Sequence, residues 1–432
     1  MALSSLPSSS WLVTFRDPRE IWDLHPTLLI NEVTVFLVAA ASAVHAIRKG
    51  GRWRYMWVGI ILHGLIVESI SYLLPNIDNF WHAQSSTMLL GQRLPMHIIV
   101  LYPMMIYHAY VAVNHMGLPW WAEPFAVALG NLLIDIPFDI MGIKLLWWTW
   151  HDTDPNIFDR HYWVPWTSYI FHMTFSFNFT MLTNASRWLL TGSSSRDKVG
   201  GSFIAEVLTV LIPGFLSFPV AVATQFTLLY HVLHDILEIH TENLVFTLIA
   251  IYVFMVWIGE RHADRGAGSR AERGNGGTWL LGWLSHETAW AMLLHFIVYT
   301  LMAYFATPQT QLSIGLHEPL GPCDAPDVVV MSPLGQALSK RAYLCTSDYD
   351  EDYFSMDCNW LLKSHNLTRQ SVTALPDSNG ITHWYAVCGK PYPNSYEYIH
   401  AVGMLCAMGL AFFHTALTPR PQPGRLAKHK SN

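Results

Sequence analysis

The sequence predicts an all-α polytopic membrane bundle of about nine transmembrane helices, carrying one disulfide-bonded extracellular or luminal loop. Three observations predict it. Long apolar, aromatic-rich runs recur from Leu28 to Leu417, with most charges between them. Charged residues make up 13% of the 432 residues against 52% hydrophobic, too few to clothe a soluble protein of this size. The runs reach or approach the roughly 20 residues that carry a helix across a bilayer core.

The expected helices span 28–47, 55–74, 95–114, 122–148, 163–190, 203–231, 243–259, 286–306 and 397–417. The fourth, fifth and sixth exceed the bilayer requirement, so they are expected to tilt, kink or project. Pro137 and Pro213 are the candidate break points in the fourth and sixth, since proline removes a backbone donor. Residues 1–27 mix Ser, Pro and charge without a basic-then-apolar leader pattern, so the first helix is expected to start insertion. The expected organisation is an outer segment 1–27, a bundle 28–306, an outer loop 307–396, a ninth helix 397–417 and a basic cytoplasmic tail 418–432.

Basic residues in short loops favour the cytoplasm. Arg48, Lys49, Arg52 and Arg54 follow helix one; Arg187, Arg196 and Lys198 follow helix five; Arg261, Arg265, Arg270 and Arg273 follow helix seven; Arg420, Arg425, Lys428 and Lys430 end the chain. Nine spans place all four groups on one side. The protein is therefore expected in a membrane of the secretory pathway or at the plasma membrane, N-terminus outside and C-terminus cytoplasmic.

The loop 307–396 is too long for an ordinary connection and is expected to have structure of its own. It holds Cys323, Cys345, Cys358 and Cys388, four of the five cysteines, with Cys406 in the last helix. An even set on the oxidising side implies two disulfides. Sequence does not choose among the three connectivities; a nested pair, Cys345–Cys358 inside Cys323–Cys388, is the working expectation. Asn366-Leu367-Thr368 is a glycosylation sequon on the same loop. Sequons at Asn178 and Asn184 fall in or near a span and are expected to be unused. The acidic run Asp348, Asp350, Glu351 and Asp352 reads as a solvated turn, because no Gly-centred calcium loop accompanies it.

Polar groups at membrane depth are costly and point to a bundle interior or cavity. In helix four, Asn131, Asp135 and Asp139 repeat every four residues and share a face. Two carboxylates one turn apart in low dielectric do not both ionise easily, which suits an acid and a base. Glu68 lies in helix two and needs a buried partner, with His63, His97 or a helix-four group as candidates. Ser168, His172, Ser176 and Thr180 make a second polar stripe on helix five; His97 and His108 share nearly one face of helix three. Glu68, Asp135, Asp139 and His172 are the candidate catalytic set, and His97, Asn131, Ser168 and Trp150 the candidate cavity residues.

His231 with Asp235, and His234 with Glu238, sit one turn apart near His240 and could ligate a metal. Neither a metalloprotease motif nor paired-histidine iron boxes accompany them, so no metal site and no cofactor are expected. Trp120, Trp121, Trp147, Trp148, Trp150, Trp163 and Trp166 fall at span ends, as interfacial aromatics do. Gly403, Ala407 and Ala411 form a small-residue stripe suited to close helix packing. No basic patch for nucleic acid stands out; the expected partner is membrane lipid. Sequence does not give the oligomeric state.

Several of these residues also carry a family resemblance. Glu68, Leu94-Pro95, the pair Asp135 and Asp139, Trp148-Thr149-Trp150 and Val164-Pro165 resemble the core of the membrane carotenoid hydratases, the bisanhydrobacterioruberin hydratase-like family. The likeness covers about 68–179, within what looks like an uncharacterised animal multi-pass family. Trp163 stands where the hydratases have a small residue, and Thr167-Ser168 where they have Asn. The resemblance implies acid-catalysed water addition to an isoprenoid double bond, with Asp135, Asp139 and Glu68 supplying protons and stabilising a tertiary carbocation. Three function classes stay open: an intramembrane enzyme on an isoprenoid or other lipid, a small-solute or proton transporter, and a receptor-like or scaffold protein.

Overall fold

The computed structural model describes residues 11–74, 77–191, 202–263, 282–349 and 351–418. Nine long helices dominate it. They are α1 (Pro26–Lys49), α2 (Arg52–Leu73), α3 (Met96–Met116), α4 (Glu123–Lys144), α5 (Trp166–Thr191), α6 (Phe203–Ile236), α7 (Thr241–Arg261), α8 (Glu287–Phe305) and α9 (Ser395–Leu417). Among the described residues, all but α5 are long and apolar enough to cross a membrane. α5 has the length but carries Ser168, His172, Ser176, Asn178 and Thr180 in its middle. It packs against α4, α6 and α7, so its polar face meets protein.

α3 and α4 form the centre, with 83% of their apolar window buried, against 28% for α7 and α9. The outer helices turn Leu37, Val58, Phe215, Phe254, Leu301 and Met404 outward, an apolar belt of the kind that faces lipid. Arg48 of α1 pairs with Glu287 at the start of α8 at 2.7 Å, and Arg187 of α5 pairs with Glu206 of α6 at 2.8 Å. Arg196, Lys198, Arg265, Arg270, Arg273, Arg420, Arg425, Lys428 and Lys430 lie outside the described residues.

The opposite end is capped by five segments: 11–17, 74–95, 145–165, 237–240 and the excursion 306–394. Short antiparallel strands join the first three and run within the excursion, so the fold is not purely helical. Phe80–His82 pairs with Trp148–Trp150, and Thr87–Leu89 lies between Val13–Phe15 and Leu94–Pro95. In the excursion, Thr382–Gly389 lies between Leu312–Leu320 and Phe354–Ser355. The cap is tied to the bundle by Thr27 with Gln311 (2.7 Å) and His25 with the Leu145 carbonyl (2.6 Å), and the Arg160–Glu351 pair (2.9 Å) joins two segments of the cap.

Several expectations are corrected. The disulfides are sequential, Cys323–Cys345 and Cys358–Cys388, and not nested. Each cysteine bonds one close in the local fold: Cys358 starts the Asn359–Ser364 helix beneath the strand bearing Cys388. α4 stops at Lys144, four residues short of the expected end, because Leu146 takes a left-handed conformation (φ 60°) and the chain turns into a strand. Pro137 does not break α4. The strongest departures from α geometry are π-helical turns, at Pro103–Tyr107 in α3 and over Val222–Ile236 in α6.

Of the seven tryptophans, two are buried, one is exposed and four are half-buried. Trp147 and Trp148 are buried, Trp148 stacks on Phe138 at 5.0 Å, and Trp120 is the exposed one. The Gly403 stripe faces open space; the close approach of α9 is at Gly409, against Phe296. The acidic run does not gather into one site. Asp348 pairs with Arg341, Asp352 with Lys390, and Glu351 is buried on Arg160; Asp350 lies outside the described residues. Asn366 is exposed, whereas Asn178 is buried and bonded to the Thr174 carbonyl.

Candidate functional site

A cavity of about 380 Å³ lies between α2, α3, α4, α5 and α6, beneath the cap. Phe138, Trp148, Phe171, Phe175, Phe218 and Phe226 supply much of its wall. Its roof includes Trp150, Asn156 and the hairpin residues Val330–Pro333. Both π-helical segments reach it, through Met105 and Ile106 and through Val222 and Phe226. Such turns reset side-chain register and often mark functional sites.

Helix-four and helix-five groups meet along one wall. Asp135 is fully buried, with Oδ1 3.2 Å from His172 Nε2, and neither of its oxygens has a hydrogen-bond partner. Asp139 accepts a 2.7 Å hydrogen bond from the Ser168 hydroxyl. Asn131 donates to the His172 carbonyl at 3.1 Å, leaving its own amide oxygen unpaired. Ser176 also donates to that carbonyl. The fourfold spacing on two facing helices produces this: each helix offers one face, and the two faces interlock. Asp139, His172, Asn131 and Ser168 line the cavity, and Asp135 stands behind His172.

Glu68 lines the same cavity. Its partners are Tyr102, whose hydroxyl donates at 2.8 Å, and His82, with Nε2 at 3.7 Å. The expected partners, His63, His97 and a helix-four group, are not the ones used. Gly64 sets this up one turn before Glu68. A side chain there would collide with the Tyr102 ring, so glycine lets that ring lie across α2. Trp150 lines the roof with its indole N–H buried and unpaired. His97 is buried but does not line the cavity, and His108 turns to the Met104 carbonyl at 2.8 Å.

The chain matches, over residues 1–418, a family model described as a domain of unknown function, DUF7802. The chain belongs to the DUF7802 family. No curated protein and no solved structure matches it.

In this DUF7802 chain, two sets of side chains could hold a metal ion. Asp135, Asp139 and His172 bring ligand atoms within 4.8 Å of one another, as do His151, Asp152 and Glu318 in the cap. The expected pairing of His234 with Glu238 does not form. His231 and His234 both bond Asp235, at 2.6 and 2.7 Å, and His234 also faces Asp159 at 3.3 Å. The π geometry of α6 and the left-handed Glu238 (φ 56°) take the i,i+4 partner away.

Sequence reasoning missed His82, Tyr102 and Ser217 around this DUF7802 site. His82 sits on a three-residue strand and Tyr102 reads as an ordinary helix aromatic. Ser217 bonds His63 at 2.8 Å from α6, 154 residues away. Only the Leu-Pro entry to α3 and the glycine one turn before Glu68 hint locally that α2 and α3 lie close.

Proposed function

We propose that this protein is an intramembrane enzyme acting on an isoprenoid or other unsaturated lipid, with proton transfer at Asp139, Asp135 and His172. The observation that carries the reading is the chemistry of one cavity. Its aromatic and aliphatic wall suits an apolar chain, while Asn131, Asp139, Ser168 and His172 bring polar groups together on its α4–α5 wall. In the hydratase reading, one helix-four carboxylic acid gives its O–H proton to an alkene carbon, leaving a tertiary cation. The faces of Phe138, Trp148, Phe171 and Phe175 and the carboxylate left behind stabilise that cation. Water adds its oxygen, and its proton passes to His172 or Asp135. No cofactor enters this sequence.

Nine spans, with the capped end outside and the C-terminus cytoplasmic, complete the proposal. It is supported by the meeting of every odd-side connection at one end and by the disulfides there. The test is turnover. Purified protein in lipid nanodiscs is incubated with isoprenoid alcohols and polyenes in heavy-oxygen water. A product heavier by one labelled water, absent with Asp139→Asn, supports the reading; unchanged substrates throughout the panel overturn it. The two π-helical interruptions favour transport as the second reading, which a flux assay in sealed liposomes tests directly.

A further inference from the structure

The proposed reaction leaves unused a cluster of buried ionisable groups in the cap. We propose that His151, Asp152 and Glu318 bind a divalent transition-metal cation of the zinc class, which fastens the excursion onto the α4–α5 connection above the cavity. His151 and Asp152 come from that connection, and Glu318 from the strand Leu312–Leu320. The three side chains are 5%, 5% and 3% exposed.

The donor set suits this cation. One imidazole and two carboxylates are a common zinc complement, with water completing four-coordination. Calcium takes six to eight oxygens, more than these residues offer. The ligand atoms already lie within 4.8 Å of one another, so small side-chain rotations close them onto an ion with bonds of about 2.0–2.2 Å. His151 Nε2 is 3.0 Å from Glu318, and Nδ1 is 3.6 Å from Asp152 and accepts a 3.3 Å hydrogen bond from the Thr153 N–H.

Two further observations point to a missing positive charge. Oδ1 of Asp152 is buried without a hydrogen-bond partner, and the Arg341 guanidinium is 3.8 Å from Oδ2 and shared with Asp348. Around the cluster, four buried carboxylates (Asp152, Asp154, Glu318 and Glu351) meet two buried cations, Lys340 and Arg160. Uncompensated buried charge is expensive, and one divalent ion balances this set.

The test uses full-length protein with a tag free of histidine. Metal analysis after purification without chelator is expected to find about one zinc per chain, and cobalt(II) substitution to give the visible bands of a low-coordinate site. His151→Ala and Glu318→Gln should each weaken zinc binding at least tenfold, with Glu318→Gln keeping side-chain volume so that folding is preserved. Asp139→Asn should leave the metal content unchanged. Absence of zinc and of cobalt bands at micromolar metal overturns the proposal. So does binding that survives both cap variants, or that is lost with Asp139→Asn.

Discussion

Nε2 of His172 on α5 lies 3.2 Å from Oδ1 of Asp135 on α4, inside the bundle. The pair couples a group facing the cavity to one with no other polar contact. Asp135→Asn keeps the volume and removes the charge, whereas His172→Gln keeps a polar group and removes the proton shuttle. Both are expected to preserve the fold, shown by an unchanged elution volume in detergent. Both should lower turnover by roughly 10²–10⁴-fold, as loss of general acid–base catalysis does. Activity within a factor of two of the parent for both variants would remove the pair from the mechanism.

Gly142, in the last turn of α4, predicts an unusual response. Gly→Ala inside a helix ordinarily stabilises, by about 1 kcal/mol. Here the new methyl would collide with the Trp148 ring, which stacks on Phe138 in the cavity wall. Overpacking should outweigh propensity, and Gly142→Ala should destabilise by about 1–3 kcal/mol. Thermal unfolding in detergent, followed by tryptophan fluorescence, measures the sign.

The cap predicts its own crosslinks and its sidedness. Non-reducing peptide mapping should join Cys323 to Cys345 and Cys358 to Cys388, with Cys406 labelled only after denaturation. Cys358→Ser should cost about 2–4 kcal/mol and open its loop to protease. Asn366 is exposed beside these bridges, so glycosidase treatment should shift the mobility of the cell-made protein, and Asn366→Gln should abolish the shift. An unshifted parent would remove Asn366 as a glycosylation site.

Asp159 predicts an acid limit. It accepts hydrogen bonds from the Thr241 hydroxyl at 2.8 Å and N–H at 3.4 Å, capping α7 from a distant loop. Partial burial disfavours its charge, but these bonds and the neighbouring His234 and His240 outweigh that and hold it below the ordinary aspartate range. A lowered carboxyl stabilises the fold above the unfolded pKa, about 3.9, and that contribution fades as pH falls through the lowered value. Asp159→Asn should lose about 1 kcal/mol at neutral pH. The gap to the parent should close below about pH 4, as read from paired denaturation curves.

The sequence by itself determined the apolar helices and the two polar faces, Asn131, Asp135 and Asp139 on one helix and Ser168 and His172 on the next. Helical spacing is a local property, and burial of a polar face in a membrane bundle leaves few places for it to go. Tertiary structure alone decided who completes the site. Glu68 answers to Tyr102 and His82 because Gly64 admits a ring and a short strand returns over the bundle, and no spacing rule encodes a contact between separate segments. The π turn at Pro103–Tyr107 lies between His97 and His108 and changes the register between them, so their spacing in the sequence does not put them on one face. The cysteine pairing followed the strand order of the excursion, set by long-range hydrogen bonds.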